Sequence, residues 1–212
     1  MISFSLYKYV NLYCYYKNSL REIIMAKFEF IKNEIEGLVV IRPTVFGDDR
    51  GFFMETYHKD EFYAAGIERE FVQDNHSKSS KGVLRGLHFQ KENTQGKLVR
   101  VIKGEVFDVA VDCRPNSKTF GKWYGVTLSD ENKMQFYVPE GFAHGFLVLS
   151  DEAEFVYKCT DVYNPSAEGG IPYNDETVNV EWPQVDCEIR LSAKDKLHTP
   201  FAQQNFEYFD KY

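Results

Sequence analysis

Residues 98–112 read LVRVIKGEVFDVAVD, two β-branched runs over 98–103 and 105–112 parted by the Lys103-Gly104 punctuation. Successive side chains of a strand point to opposite faces. In the second run Phe107, Val109 and Val111 therefore share one face, while Val106, Asp108, Ala110 and Asp112 share the other. One face is apolar and the other carries two carboxylates. The same grammar extends in both directions: further strands are expected at 38–42, 71–75, 83–90, 123–128, 135–138, 145–149 and 153–160. Turn signals at Gln95-Gly96, Arg114-Pro115, Asp130 to Asn132, Pro139 to Gly141 and Asn164-Pro165 separate them. Only 59–65 reads as a helix. Short strands punctuated every ~8–15 residues predict an all-β sandwich or barrel with a few short helices.

The composition agrees and removes other classes. Hydrophobic residues make up 43% of the 212, enough for a buried core and too many for a disordered chain. Lys plus Arg number 25 against 32 Asp plus Glu, a net charge of -7, which leaves no basic face for a nucleic acid polymer but allows a local pocket for a small anion. Cys14, Cys113, Cys159 and Cys187 form no CxxC pair, so neither a zinc knuckle nor a thioredoxin-type motif is present, and reduced thiols are expected. No apolar run reaches the roughly 20 residues of a membrane span. Residues 1–26, MISFSLYKYVNLYCYYKNSLREIIMA, have their apolar stretches broken by Lys8, Asn11 and Lys17 and do not read as an export signal. Met25 is the expected natural start, with the preceding residues a translated upstream stretch or a loosely ordered extension; an amphipathic helix that docks on a partner is the alternative. No linker or repeat divides 27–212, which is expected to be one domain.

Several residues carry chemistry by type and position. His88 lies in KGVLRGLHFQ, residues 81–90. A lone histidine in a strand is more often structural than catalytic, but Arg85 and Lys97 nearby would favour the neutral imidazole, which can act as a base, and would draw an anionic substrate. Strict alternation puts Arg85 and His88 on opposite faces unless Gly86 admits a bulge. His144, in VPEGFAHGF, suggests with His88 the two halves of a barrel metal site. A cupin metal site wants two histidines one residue apart plus a carboxylate, however, and Gln90 holds the second position. Tyr157 shares its face with Ala153, Phe155 and Cys159, pointing inward, and its hydroxyl then needs a partner. By themselves, FGDDRGFFMETY (46–57) reads as a solvated loop with a surface ion pair, QDNHSKSSKG (73–82) as a polar loop, and LSAKD (191–195) as a helix start capped by Ser192.

Taken together and in this order, FGDDRGFFMETY, FVQDNHSKSSKGVLRGLHFQ, QGKLVRVIKGEVFDVAVDCR, TFGKWYGVTLS, VPEGFAHGFLVLSDEAEFVYK, the Tyr163-Asn164-Pro165 turn with Glu168, the NDE at 174–176 and LSAKD resemble the dTDP-4-dehydrorhamnose 3,5-epimerase family. The resemblance spans residues 28–196. It implies a cupin-like jelly-roll β-barrel, a cytoplasmic homodimer, and a dTDP-sugar substrate handled without metal or other cofactor and without membrane or nucleic acid. It implies His88 as the base beside the keto group, Asp195 as its dyad partner, Tyr157 as the acid on the opposite face, and Lys97 with help from Arg85 as the stabiliser of the enolate. Arg50, Glu55, Gln73, Asn75, Arg85, His144, Glu168 and Lys194 match positions that hold the nucleotide sugar, and Tyr163 matches an aromatic that stacks on thymine. The implied reaction inverts C3 and C5 of dTDP-4-dehydro-6-deoxy-glucose on the way to dTDP-L-rhamnose and cell-surface polysaccharide. A single-carbon epimerase of a related pathway, a sugar-nucleotide-binding cupin without turnover and a metal-dependent cupin enzyme are the competing expectations.

Overall fold

The computed structural model describes residues 27–212; the expectations for residues 1–26 lie outside the described residues. Two antiparallel sheets face each other. The six-stranded sheet runs in the order β1 (Phe28–Lys32), β2 (Val39–Pro43), β10 (Gln135–Val138), β7 (Lys97–Lys103), β12 (Glu152–Cys159) and β5 (Gln73–Ser80). The five-stranded sheet runs β13 (Glu168–Gly170), β6 (Leu84–Gln90), β11 (Phe142–Val148), β8 (Glu105–Asp112) and β9 (Trp123–Ser129). A small hairpin of β3 (Phe46–Asp48) and β4 (Gly51–Phe53) stands outside both sheets, and α1 (Lys59–Ala64) is the one α-helix among the described residues. This is the jelly-roll arrangement that the sequence resemblance implies.

The run that decided the fold is not a hairpin. β7 and β8, separated by Gly104 alone, belong to different sheets. Gly104 makes the corner with φ +78°, and a Cβ there would lie 2.1 Å from the Glu152 carbonyl oxygen, so only glycine fits. The alternation read in β8 is obeyed in an instructive way. Val106 and Ala110 join Val40, Val99, Phe136 and Phe155 in the core between the sheets. Val109 and Val111 point away from the interior and are covered by the C-terminal segment through Phe201, Phe206 and Phe209. The carboxylate-bearing face is thus the inner one, with Asp108 fully buried. On the far side of the six-stranded sheet, Phe62 of α1 seals a third cluster against Phe28, Ile41 and Leu98. Each such large side chain contributes roughly 1.5–3 kcal/mol when fully buried.

The sequence reading left out β1, the β3–β4 hairpin and β13. It also ended the strand at 75 where β5 runs on to Ser80 through residues expected to be a polar loop, and it began the 145–149 strand later than β11, which starts at Phe142. The three cysteines among the described residues are free, and no helix there is long and apolar enough to cross a membrane.

Candidate active site

Strand register aligns the functional side chains in rows. On the inner face of the six-stranded sheet Gln73, Cys159 and Lys97 stand side by side, and the next row holds Asn75, Tyr157 and Val99. Across the interior, His88 of β6 pairs with His144 of β11, which in turn pairs with Ala110 of β8. The two faces touch where Phe155 of one sheet stacks on Phe146 of the other at 4.2 Å, with the His144 ring next to it. His88 and Tyr157 therefore stand on opposite walls of the interior.

The question of Arg85 and His88 is resolved by a bulge. Between the pairs His144–His88 and Phe146–Arg85, β6 takes one residue more than β11. Gly86 sits in the extra length at φ +115°, where a Cβ would lie 2.6 Å from the Gly145 Cα. The shift lets both side chains serve the interior: Arg85 donates through Nε to Ser79 Oγ at 3.0 Å, and burial raises the Tyr157 phenol above its ordinary value against the smaller downward pull of the Arg85 charge. A phenol held up in this way keeps its proton.

His88 is oriented by a carboxylate from the far end of the chain. Its Nε2 lies 2.5 Å from Asp195 Oδ1. Asp195 opens a single helical turn, Asp195–Leu197, and its backbone N–H donates to Ser192 Oγ at 3.1 Å, as the LSAKD reading anticipates. Burial pushes the Asp195 carboxyl up, but the hydrogen bond and charge of His88, with Ser192 and His198, outweigh it and hold the carboxyl below its usual range. An ionised partner on Nε2 leaves Nδ1 as the lone-pair nitrogen. His198 packs behind the same carboxylate, its Nε2 3.9 Å from Asp195 Oδ1.

Lys97 brings an ammonium with no acidic partner among the described residues. Its side chain makes no hydrogen bond or ion pair among the described residues, and burial pushes its ammonium down against the upward pull of Cys159, Glu140, Asp108 and Glu168. An unneutralised ammonium in a low-dielectric interior is placed to meet negative charge that develops on a bound molecule. At the mouth, Glu168 bonds Lys194 and accepts the Tyr163 hydroxyl at 2.7 Å, and the Tyr163 side chain is half exposed. Gln73 Oε1 accepts the Tyr163 backbone N–H at 2.9 Å, and Asn75 Nδ2 donates to Gln73's neighbour in the row, Cys159, at 3.5 Å.

Two of the expected site residues stand apart. Arg50, in the β3–β4 turn, bonds only Asp48 at 2.5 Å, and its side chain is 89% exposed; Glu55 bonds Lys27. The surface ion pair anticipated for FGDDRGFFMETY is this one. Conversely, three participants escaped the sequence reading. Asp108 Oδ1 holds His144 Nε2 at 2.8 Å in a second histidine–carboxylate pair, signalled beforehand by its place on the inner face of β8. Gln90 donates to the carbonyls of Asn93 (2.6 Å) and Val162 (3.2 Å) and accepts the Asn164 N–H at 2.8 Å, and so fixes the turn on both sides of Tyr163. His198 gave no signal. With its amide engaged on both ends, Gln90 does not fit the second ligand position of a cupin metal site, and His144 is taken by Asp108.

Comparisons with known proteins come last. The family model described as dTDP-4-dehydrorhamnose 3,5-epimerase matches residues 32–203. The dTDP-4-dehydrorhamnose 3,5-epimerase of Methanothermobacter thermautotrophicus is 54% identical over 180 residues, 84% of this chain and 97% of that protein. The Shigella flexneri protein of the same name is 62% identical over 155 residues, covering 72% and 86%. Among solved structures, dTDP-6-deoxy-D-glucose-3,5-epimerase from Legionella pneumophila in complex with dTDP-4-keto-L-rhamnose aligns with a TM-score of 0.84 at 49% identity over 87% of this chain and 98% of that one.

Proposed function

This chain belongs to the dTDP-4-dehydrorhamnose 3,5-epimerase family, and from that premise we propose how its own residues carry out the reaction. The enzyme is an isomerase that inverts C3 and C5 of dTDP-4-dehydro-6-deoxy-α-D-glucose to give dTDP-4-dehydro-β-L-rhamnose. Both carbons flank the same C4 ketone, so one stabilised enolate oxygen serves both inversions. His88 Nδ1 takes the C–H proton while Asp195 balances the imidazolium that forms. Lys97, with Arg85, bears the charge that moves onto the ketone oxygen. Tyr157 then gives its phenolic proton to the carbon from the opposite face, and the phenolate and imidazolium regain their resting states by exchange with solvent.

The observation that carries this reading is the placement of His88 and Tyr157 on facing sheets with the unpaired Lys97 ammonium beside Tyr157's row. Tyr163 stacks on the thymine; Glu168, Lys194, Gln73, Asn75 and His144 hold the nucleotide sugar. Residues 27–212 act as one catalytic unit in a cytoplasmic enzyme, since nucleotide sugars are made and used there, and the product goes toward rhamnose-containing cell-surface polysaccharide such as lipopolysaccharide. A homodimer completes the site with Arg50 and Glu55. The test is proton NMR of the substrate incubated with enzyme in deuterated water. Solvent deuterium at both C3 and C5 is the expected result; label at one carbon alone would assign a single-carbon epimerase, and none would overturn the reading.

A further inference from the structure

Among the described residues, one set of three ligating side chains has all its donor atoms within 4.8 Å of one another: His88, Asp195 and His198. The mechanism above uses the first two and leaves His198 without a task. Its position is nonetheless well defined. The ring lies against the β13 backbone so closely that a Cβ on Gly170 would be 2.3 Å from its Cε1. Nδ1 faces the Ile171 carbonyl at 3.3 Å. A carbonyl only accepts, so Nδ1 carries the hydrogen and Nε2 the lone pair. That lone pair looks across 3.9 Å at Asp195 Oδ1, the same buried oxygen that His88 Nε2 approaches at 2.5 Å. Two electron-rich atoms facing each other at a separation too long for a hydrogen bond make a seat for a cation.

We propose that His88 Nε2, the Asp195 carboxylate and His198 Nε2 form an inhibitory site for a divalent transition-metal ion of the zinc class. Two imidazoles and one carboxylate select Zn²⁺, Co²⁺ or Cu²⁺ over Mg²⁺ and Ca²⁺, which want oxygen ligands. Ligand bonds of about 2.0–2.2 Å ask that the 3.9 Å gap close and the 2.5 Å one open toward roughly 3.3 Å, and that the two imidazole nitrogens, within 4.8 Å of each other, come to a similar separation, with a fourth position left for water. The metal binds the Nε2 lone pair of the other neutral tautomer: as the metal–nitrogen bond forms, the Nε2 proton passes by way of solvent to Nδ1, which becomes an N–H. The ion then occupies both the base and its carboxylate, so Nδ1 no longer accepts a proton from carbon. Inhibition rests on His88 being the base, whereas binding does not. The site shares only His88 with the cupin-type position that Gln90 disables.

The probe is Co²⁺ or Zn²⁺ titrated into the intact enzyme without nucleotide, whose diphosphate would compete for the ion, in a Cys187→Ser background that removes the exposed thiol. Calorimetry and the visible Co²⁺ absorption read binding directly, and epimerisation by the metal-loaded protein reads inhibition. One ion per chain with a tetrahedral cobalt spectrum, reversed by EDTA, is expected. His198→Asn, and His198→Phe, which keeps a ring against Gly170, should weaken binding by more than the roughly 10- to 100-fold that loss of an outer-shell partner costs, and whatever turnover each retains in EDTA should survive metal concentrations that inhibit the parent. Unchanged affinity in both variants overturns the site. Undiminished turnover by the loaded wild-type enzyme overturns the inhibition and, with it, the assignment of His88 as base.

Discussion

At the scale of single residues, the division of labour between His88 and Tyr157 has separable consequences. Removing the base should stop proton abstraction altogether, so His88→Asn loses solvent exchange at both carbons, by the roughly 100- to 10,000-fold that a positioned general base contributes. Tyr157→Phe keeps the base and the enolate but has no acid on the far face; exchange should persist while inversion fails. Deuterium incorporation against product formation in the same tube distinguishes the two, and loss of both in equal measure in Tyr157→Phe would return Tyr157 to a binding role. Lys97 adds a pH dependence with a definite sign. Its burial lowers the ammonium from the ordinary lysine value of 10.5, and the charge that meets the enolate disappears as pH rises through the lowered value. Activity should therefore fall on the alkaline side before an ordinary lysine would titrate. Lys97→Arg keeps its charge and should move that limb to higher pH even if turnover drops, whereas Lys97→Met should lose roughly 100- to 1,000-fold in kcat. An alkaline limb unmoved in Lys97→Arg would belong to another group.

At the scale of elements, two devices aim these side chains, and each explains what the sequence did and did not disclose. The β6 bulge was foreseen as a condition, since Gly86 stood between Arg85 and His88; what no pattern discloses is that β6 passes β11 at a distance only glycine tolerates. Gly86→Ala places a Cβ 2.6 Å from the Gly145 Cα and from the His144 carbonyl oxygen at φ +115°. It should cost more than the ~1–3 kcal/mol of an isolated strained residue, lowering the melting temperature by ~2–4 °C per kcal/mol and the activity further, because Arg85 and His88 lose their common face. The second device is Gln90. Where a metal cupin would carry a ligand, its amide fastens residues 162 and 164 around Tyr163. Gln90→Met should raise KM for the nucleotide sugar about 5- to 150-fold, the worth of ~1–3 kcal/mol of unmade buried hydrogen bonds, with kcat much less affected; a matching fall in kcat would point to damage at His88, two residues away. The strands with apolar alternation were legible because burial imposes it. β5 was not: its inward residues Gln73, Asn75, Ser77 and Ser79 are polar since they face the site, so a working strand looked like a loop. Asp195 was legible only through LSAKD as a motif, because nothing local tells that a turn 107 residues onward supplies the carboxylate for His88.

At the scale of the whole molecule, one chain leaves part of its own equipment unused. Asp48 alone holds Arg50, and the hairpin that carries it presents Phe46, Phe52 and Phe53 at 59, 57 and 66% exposure. Three aromatic rings on a short hairpin that belongs to neither sheet are costly to leave in water. Meanwhile the outer face of the six-stranded sheet, between β5 and β10, is open along a groove lined by Thr56, Leu98, Arg100, Gln135, Val156 and Lys158, and β5 is an unpaired sheet edge. Both surfaces belong to the same chain, so a two-fold axis would cover them at once, each hairpin against the other subunit, without leaving an unmatched copy. In the proposed homodimer the same arrangement would carry Arg50 to the substrate diphosphate of the other subunit. The protein should sediment as a dimer, and Phe52→Asp with Phe53→Asp should shift it to monomer with loss of activity while the far-UV spectrum is retained. The sharper check is complementation. Arg50→Ala and His88→Asn homodimers should each be nearly inactive, but unfolded and refolded together they should regain activity, since half of the sites in a mixed dimer combine an intact base from one chain with an intact arginine from the other. Mixing without recovery would place Arg50 in the site of its own subunit and leave the exposed hairpin to another role.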